Sequence, residues 1–120
     1  MANEIIPSGI TLHKKSKSLD LDYGDDHYSL PAEYLRVYSP SAEVQGHGPG
    51  QEVLQTDKEN VGINQIEPVG HYALKIYFDD GHDSGLFTWD RLYQLSTNQE
   101  AHWQDYLNRL KQAGYQHNQH

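Results

Sequence analysis

Gly81, His82, Asp83, Ser84 and Gly85 put an imidazole, a carboxylate and a hydroxyl next to one another. These are the three side chains of a serine hydrolase. Adjacency argues against that chemistry, because neighbouring residues of an extended segment point to opposite faces, whereas working triads draw their members from separate parts of a fold. The sequence also has no Gly-x-Ser-x-Gly elbow to hold a nucleophile on a sharp turn. The same histidine suggests a second chemistry. His82, with Asp79, Asp80 or Asp83 and a loop histidine such as His47, offers nitrogen and oxygen donors suited to zinc or iron. The plainer reading is that His82 follows a turn and hydrogen-bonds the backbone beside it.

Other catalytic patterns are missing. Non-haem iron oxygenases pair a histidine with an acid two residues later, on one strand face. Of the 8 histidines, none has Asp or Glu at that position, so the chain lacks the metal triad of an oxygenase catalytic domain. No glycine-rich loop ends in Lys-Ser or Lys-Thr, and the glycines from 46 to 50 precede no strong helix that could hold a phosphate. With no cysteine, disulfides, thiolate zinc sites, thiolate-held iron–sulfur clusters and cysteine nucleophiles are excluded together.

The elements that must position these residues fit one domain of 120 residues. Acidic residues outnumber basic ones 17 to 9, a balance that repels nucleic acid and anionic lipid. Lys14, Lys15 and Lys17 form the basic cluster, which reads as a charged hairpin edge. No stretch reaches the roughly 20 apolar residues of a membrane helix, and Met1 to Ser8 has no signal-peptide pattern. A cytoplasmic location is expected.

Leu19 to Tyr23 alternates apolar and polar residues as a half-buried strand does. Gly24, Asp25 and Asp26 supply a turn, and Pro31 opens a short helix from Ala32 to Tyr38. From Ser39 to Asn60 the chain turns polar, with glycine at its centre and a short strand expected at Glu52 to Gln55. Val61 to Ile66 and Tyr72 to Phe78 predict strands, Asp80-Gly81 a tight hairpin turn, and Leu86-Phe87 a last strand leading into Thr88, the cap of a helix. Thr97 and Glu100 spell a capping box before a helix carrying Trp103, Tyr106, Leu107 and Leu110, and Gly114 ends it. Segments 19–36 and 74–93 share an order of strand, acidic turn, histidine, strand and helix, with His27 matching His82. That similarity fits either a degenerate repeat or two units with ordinary turn chemistry. The expected organisation is an extension at 1–9, a domain at 10–114 and a flexible tail at 115–120. The expected fold is α+β, a small, mainly antiparallel sheet with short helices and a C-terminal helix packed on it.

Three separated runs carry a resemblance: Leu30-Pro31-Ala32-Glu33-Tyr34-Leu35-Arg36-Val37 with Ser39 to Gly50, then Pro68 to Leu74, then Phe78 to Trp89. In order and spacing they resemble the DUF971 family, the gamma-butyrobetaine hydroxylase-like N-terminal domain, from about Pro7 to Leu110. The resemblance implies a module that precedes an oxygenase and holds a structural zinc through three cysteines and one histidine. His82 falls at the histidine position, while Ser39, Ser41 and a residue near Val44 fall where the cysteines would be. Related modules are also joined to P-loop ATPases similar to iron–sulfur carriers, which implies an accessory role near iron chemistry. The expected function is therefore a non-catalytic module that binds a protein partner, an iron–sulfur carrier ATPase being the implied one, through the loop from Ser39 to Gly50 and the His82 turn. Arg36, His47, Asp80, Gly81, His82 and Trp89 are its candidate binding residues. The alternative is a metal-binding protein using His82 and nearby carboxylates, and a third reading is an enzyme that needs a second chain.

Overall fold

The computed structural model describes residues 5–46 and 53–117. Strands β1 (Gly9–His13), β2 (Ser18–Tyr23) and β3 (Asp26–Pro31) form an antiparallel meander. The alternation in β2 works as expected: Leu19 and Leu21 are fully buried, with Asp20 and Asp22 on the other face. Leu19 pairs with Leu30 across the ladder and Tyr23 with Asp26, so Gly24 and Asp25 alone make the turn. Gly24 has φ +66, a conformation glycine adopts without steric cost. The lysine-rich segment is the turn between β1 and β2, as expected of a charged hairpin edge.

Pro31 is the last residue of β3 and the N-cap of α1 (Ala32–Val37), with extended backbone angles of φ −62 and ψ 147. It stands one position before the first helical residue. A second meander repeats the plan with β4 (Ile63–Val69), β5 (Ala73–Phe78) and β6 (Leu86–Thr88), which passes directly into α3 (Trp89–Thr97). Between the two units lies a single helical turn, α2 (Ala42–Gln45), and residues 53–55 form no strand.

The sheet is therefore two three-stranded sheets. Each is closed locally by turns between consecutive strands, and α1 and the long connection stand between β3 and β4. The units share the order meander then helix, which favours the repeat over coincidence of turn chemistry. Their apolar faces meet in one core, where Leu19, Leu21 and Leu30 join Ile63, Leu74 and Ile76 together with Leu35, Leu92 and Leu95 from the helices. Tyr34 crosses it and donates its hydroxyl to the Leu95 carbonyl at 2.7 Å.

Helix α3 begins as expected, with Thr88 Oγ1 accepting from the Arg91 N–H at 3.2 Å. The capping box at Thr97 does not form. Helix α4 (Gln99–Gln112) starts one residue after α3 ends, so Thr97 is still in the last turn of α3 and its hydroxyl bonds back to the Tyr93 carbonyl. Gly114 ends α4 as expected. Its φ is +85, its N–H reaches the Lys111 carbonyl, and the Tyr115 N–H reaches Leu110, the two bonds of a Schellman motif.

Of the segment after Gly114, expected to be a flexible tail, residues 115–117 lie within the described residues, and the His117 side chain packs back on the domain. That side chain is 9% exposed, lies 2.6 Å from Glu33 Oε2, and meets the rings of Trp103 and Tyr106 edge-on. Aromatic contact and the hydrogen bond to Glu33 act against the entropy cost of holding that side chain in place. Among the described residues no helix is long and apolar enough to cross a membrane.

Candidate functional site

The C-terminal end of α1, the segment after it and the loop between β5 and β6 converge on one cluster. The Phe78 N–H donates to the His82 carbonyl, and Gly81, with φ +90, turns the chain between them. Asp80 and Gly81 thus make a turn as expected. It is no two-residue hairpin, however, because β6 resumes pairing only at Leu86, opposite Lys75. The extra residues bring His82 and Gly85 inward.

His82 is 5% exposed, and its Nε2 lies 2.9 Å from Ser39 Oγ and 3.3 Å from Ser41 Oγ. Ser39 is fully buried, and its hydroxyl also accepts from the Ser41 N–H at 3.3 Å. The two serines and the histidine that the resemblance aligned with a metal site are therefore neighbours in space. Hydroxyl oxygens do not fit that metal. Structural zinc is held by thiolate, imidazole and carboxylate, and a neutral serine supplies none of these. Here the same geometry makes a hydrogen-bonded clasp.

Asp80 secures the other side of the clasp. One oxygen accepts from Arg36 Nε and Lys58 Nζ, each at 2.9 Å, and the other from the His82 N–H at 3.2 Å. Burial would push the Asp80 carboxyl up, but hydrogen bonds from Lys58, the His82 backbone and Arg36, with the charge of Arg36, hold it down at about 2. The Arg36 side chain is 8% exposed and donates a further bond from Nη1 to Gln55 Oε1 at 2.9 Å. Arg36 and Asp80, separate candidates in sequence, are each other's partner.

Gly85 is buried against this clasp, and a Cβ built on it would stand 2.2 Å from Ser39 Oγ. Ser39 could make room only by rotating away from His82. Gly85→Ala is expected to cost about 1–3 kcal/mol, the usual range for overpacking a tight site. Gly81→Ala meets nothing within 4 Å and carries only backbone strain. Urea melts of the two variants check this, and a Gly85→Ala protein as stable as wild type would show that the clasp is loose.

The remaining candidates separate. Trp89 is 7% exposed and donates its indole N–H to the His71 carbonyl at 2.9 Å, so it is a core residue. His47 lies outside the described residues. Asp79, Asp83 and Ser84 are exposed. The serines beside the His82 imidazole are Ser39 and Ser41, both buried, and not Ser84 of the same loop. Lys58 and Gln55 were not legible in sequence, because neither belongs to a periodic pattern. A separate donor group also escaped notice: Glu33, Glu59 and His117 each place a ligand-type atom within 4.8 Å of the others.

No curated protein matches the sequence. Two structures solved by NMR in solution are similar to the chain. One has 62% identity and a TM-score of 0.84, covering 94% of this chain and 90% of its own. The other has 47% identity and a TM-score of 0.78, covering 97% and 89%. A crystal structure of a protein of unknown function from Acidithiobacillus ferrooxidans, in the DUF971 family, shares 32% identity with a TM-score of 0.64, over 80% of this chain and 98% of that one. The family described as Gamma-butyrobetaine hydroxylase-like, N-terminal matches residues 10–93. With most of both meander-and-helix units and the His82 clasp lying within that span, the chain belongs to the gamma-butyrobetaine hydroxylase-like N-terminal, or DUF971, family.

Proposed function

We propose that this domain is a non-catalytic accessory module that binds a protein partner in iron–sulfur or metal homeostasis. The observation that carries the reading is that the groups with chemical potential are engaged internally. Ser39 and His82 are buried against one another, and the Asp80 carboxylate is shared among Arg36, Lys58 and a backbone N–H. Such a clasp fixes the shape of a surface, with Ser39 and His82 themselves buried beneath it. Two exposed apolar residues border it. Val53, 52% exposed, bonds its N–H to the Val44 carbonyl, and Leu86, 37% exposed, follows Gly85, which lies against Ser39. Apolar side chains held on a fixed frame are what a partner buries at the centre of an interface.

The test is calorimetric titration with the iron–sulfur carrier-type ATPase of the same source, using wild type and a Val53→Asp/Leu86→Asp variant. Binding that weakens at least about tenfold in the variant, while its melting is unchanged, supports the reading. Absence of binding to the wild type removes that ATPase as the partner.

A second reading, His82 as a ligand for zinc or iron with nearby carboxylates, rests on the closeness of the Asp80 carboxylate, which accepts from the His82 N–H at 3.2 Å. It predicts a metal-dependent melt in the unmodified protein.

A further inference from the structure

Beside the clasp, between the end of α1 and the faces of α3 and α4, lies a cavity of about 420 Å³. Its lining includes Arg91, Arg109, His102, Asp105 and Tyr38. We infer that this cavity is a binding site for a small oxyanion, a carboxylate or phosphate with a short apolar portion, held by the guanidinium of Arg91.

The charge balance carries the argument. Arg91 donates from Nη2 to the Tyr38 carbonyl at 2.9 Å, while its Nε is shut off from solvent with no hydrogen-bond partner. It forms no ion pair with a carboxylate among the described residues. A half-buried guanidinium is expensive to leave uncompensated, and burial lowers its pKa. Arg91 has no carboxylate partner among the described residues although the chain carries a net charge of −8.

The neighbours add to the same field. Arg109 lies over the Tyr38 ring at 5.7 Å and donates from Nη2 to the Tyr38 hydroxyl at 3.2 Å. Its Nε lies 3.2 Å from Asp105 Oδ2 without the alignment of a hydrogen bond. The Asp105 side chain is 65% exposed, so water weakens its hold on the site. His102 titrates low, first because it is buried and then because Arg91 and Arg109 repel its proton. Two guanidiniums and a neutral imidazole around one screened carboxylate make a positive hollow. A guanidinium donates charge-assisted hydrogen bonds to carboxylate and phosphate oxygens. Valine and leucine side chains complete the lining, which suits a ligand that is not wholly polar.

The experiment is an amide-shift NMR titration of the whole chain, at constant ionic strength, with pentanoate in one arm and inorganic phosphate in the other. Saturable shifts at the amides of Tyr38, Arg91 and His102 are expected, together with an affinity that falls at least about tenfold in Arg91→Met. Methionine keeps the aliphatic length of arginine without its charge. If that variant does not fold, Arg109→Met, on a partly exposed side chain, is expected to weaken binding by several-fold. The arm that saturates identifies the carboxylate or phosphate source. Linear shifts in both arms, or shifts unchanged by the substitution that folds, would overturn the inference.

Discussion

Asp80→Ala is expected to lower the stability of the domain by about 3 kcal/mol, which for a chain of this size is on the order of 10 °C in Tm. The cause is what remains behind. Arg36, with its side chain 8% exposed, would keep its charge and lose the carboxylate that pairs with it, and the His82 N–H would lose its acceptor. Removing one member of a buried pair costs more than the pair contributes, because the survivor is left desolvated. The acid dependence follows from the same carboxylate. Its pKa in the folded protein is about 2, below the ordinary 3.8, so its contribution is full above that ordinary value and is lost as pH falls toward 2. At most about 2 kcal/mol rides on this titration, since part of the carboxylate faces water. Urea melts at neutral pH and near pH 3 should bring wild type and variant closer together in acid. A constant difference between them would place the loss in packing rather than in charge.

Cysteines at Ser39 and Ser41 are expected to convert the clasp into a metal site. Both hydroxyls already face His82 Nε2, and replacing oxygen by sulfur supplies two thiolates beside an imidazole, ligands that zinc accepts. A ligand that binds only the folded state stabilises it by about 2.7 kcal/mol at a concentration one hundred times its Kd. The Ser39→Cys/Ser41→Cys protein should therefore melt several degrees higher with zinc, and the rise should vanish when His82→Ala is added. A His117→Gln background removes the imidazole of the unrelated Glu33, Glu59 and His117 group, which would otherwise confuse the result. The unmodified serines should give no rise. A zinc or ferrous shift in the protein with native serines, abolished by His82→Ala, would instead favour the metal-binding reading.

Local signals in the sequence were sound where local physics decides. The alternation of Leu19 and Leu21, the Thr88 cap and the Gly114 terminus each depend on a few neighbouring residues, and each appears as expected. Thr97 misled because a capping box needs a non-helical entry to the next helix, and α3 runs almost unbroken into α4. Composition could not reveal that an aromatic wall and Glu33 stand beside the His117 imidazole. The candidate site was legible in parts: Arg36, Asp80 and His82 stood out by type, but their pairing spans α1 and the β5–β6 loop. Only the resemblance brought Ser39 and Ser41 to His82. Nothing in the sequence distinguished Lys58, Gln55 or Arg91, whose roles are set by partners far along the chain.

The doubled architecture also has a kinetic side. Within each meander every strand pairs with its sequence neighbour, so the ladders close short loops and should form early. Yet Leu19, Leu21 and Leu30 of one unit and Ile63, Leu74 and Ile76 of the other share a single interior, so a meander with its own helix still leaves apolar surface that the other half covers. A half formed first would expose an apolar sheet to water until its counterpart arrived. Folding speed is thus set by the meeting of two quickly made halves, and during synthesis the first must wait for the second to emerge.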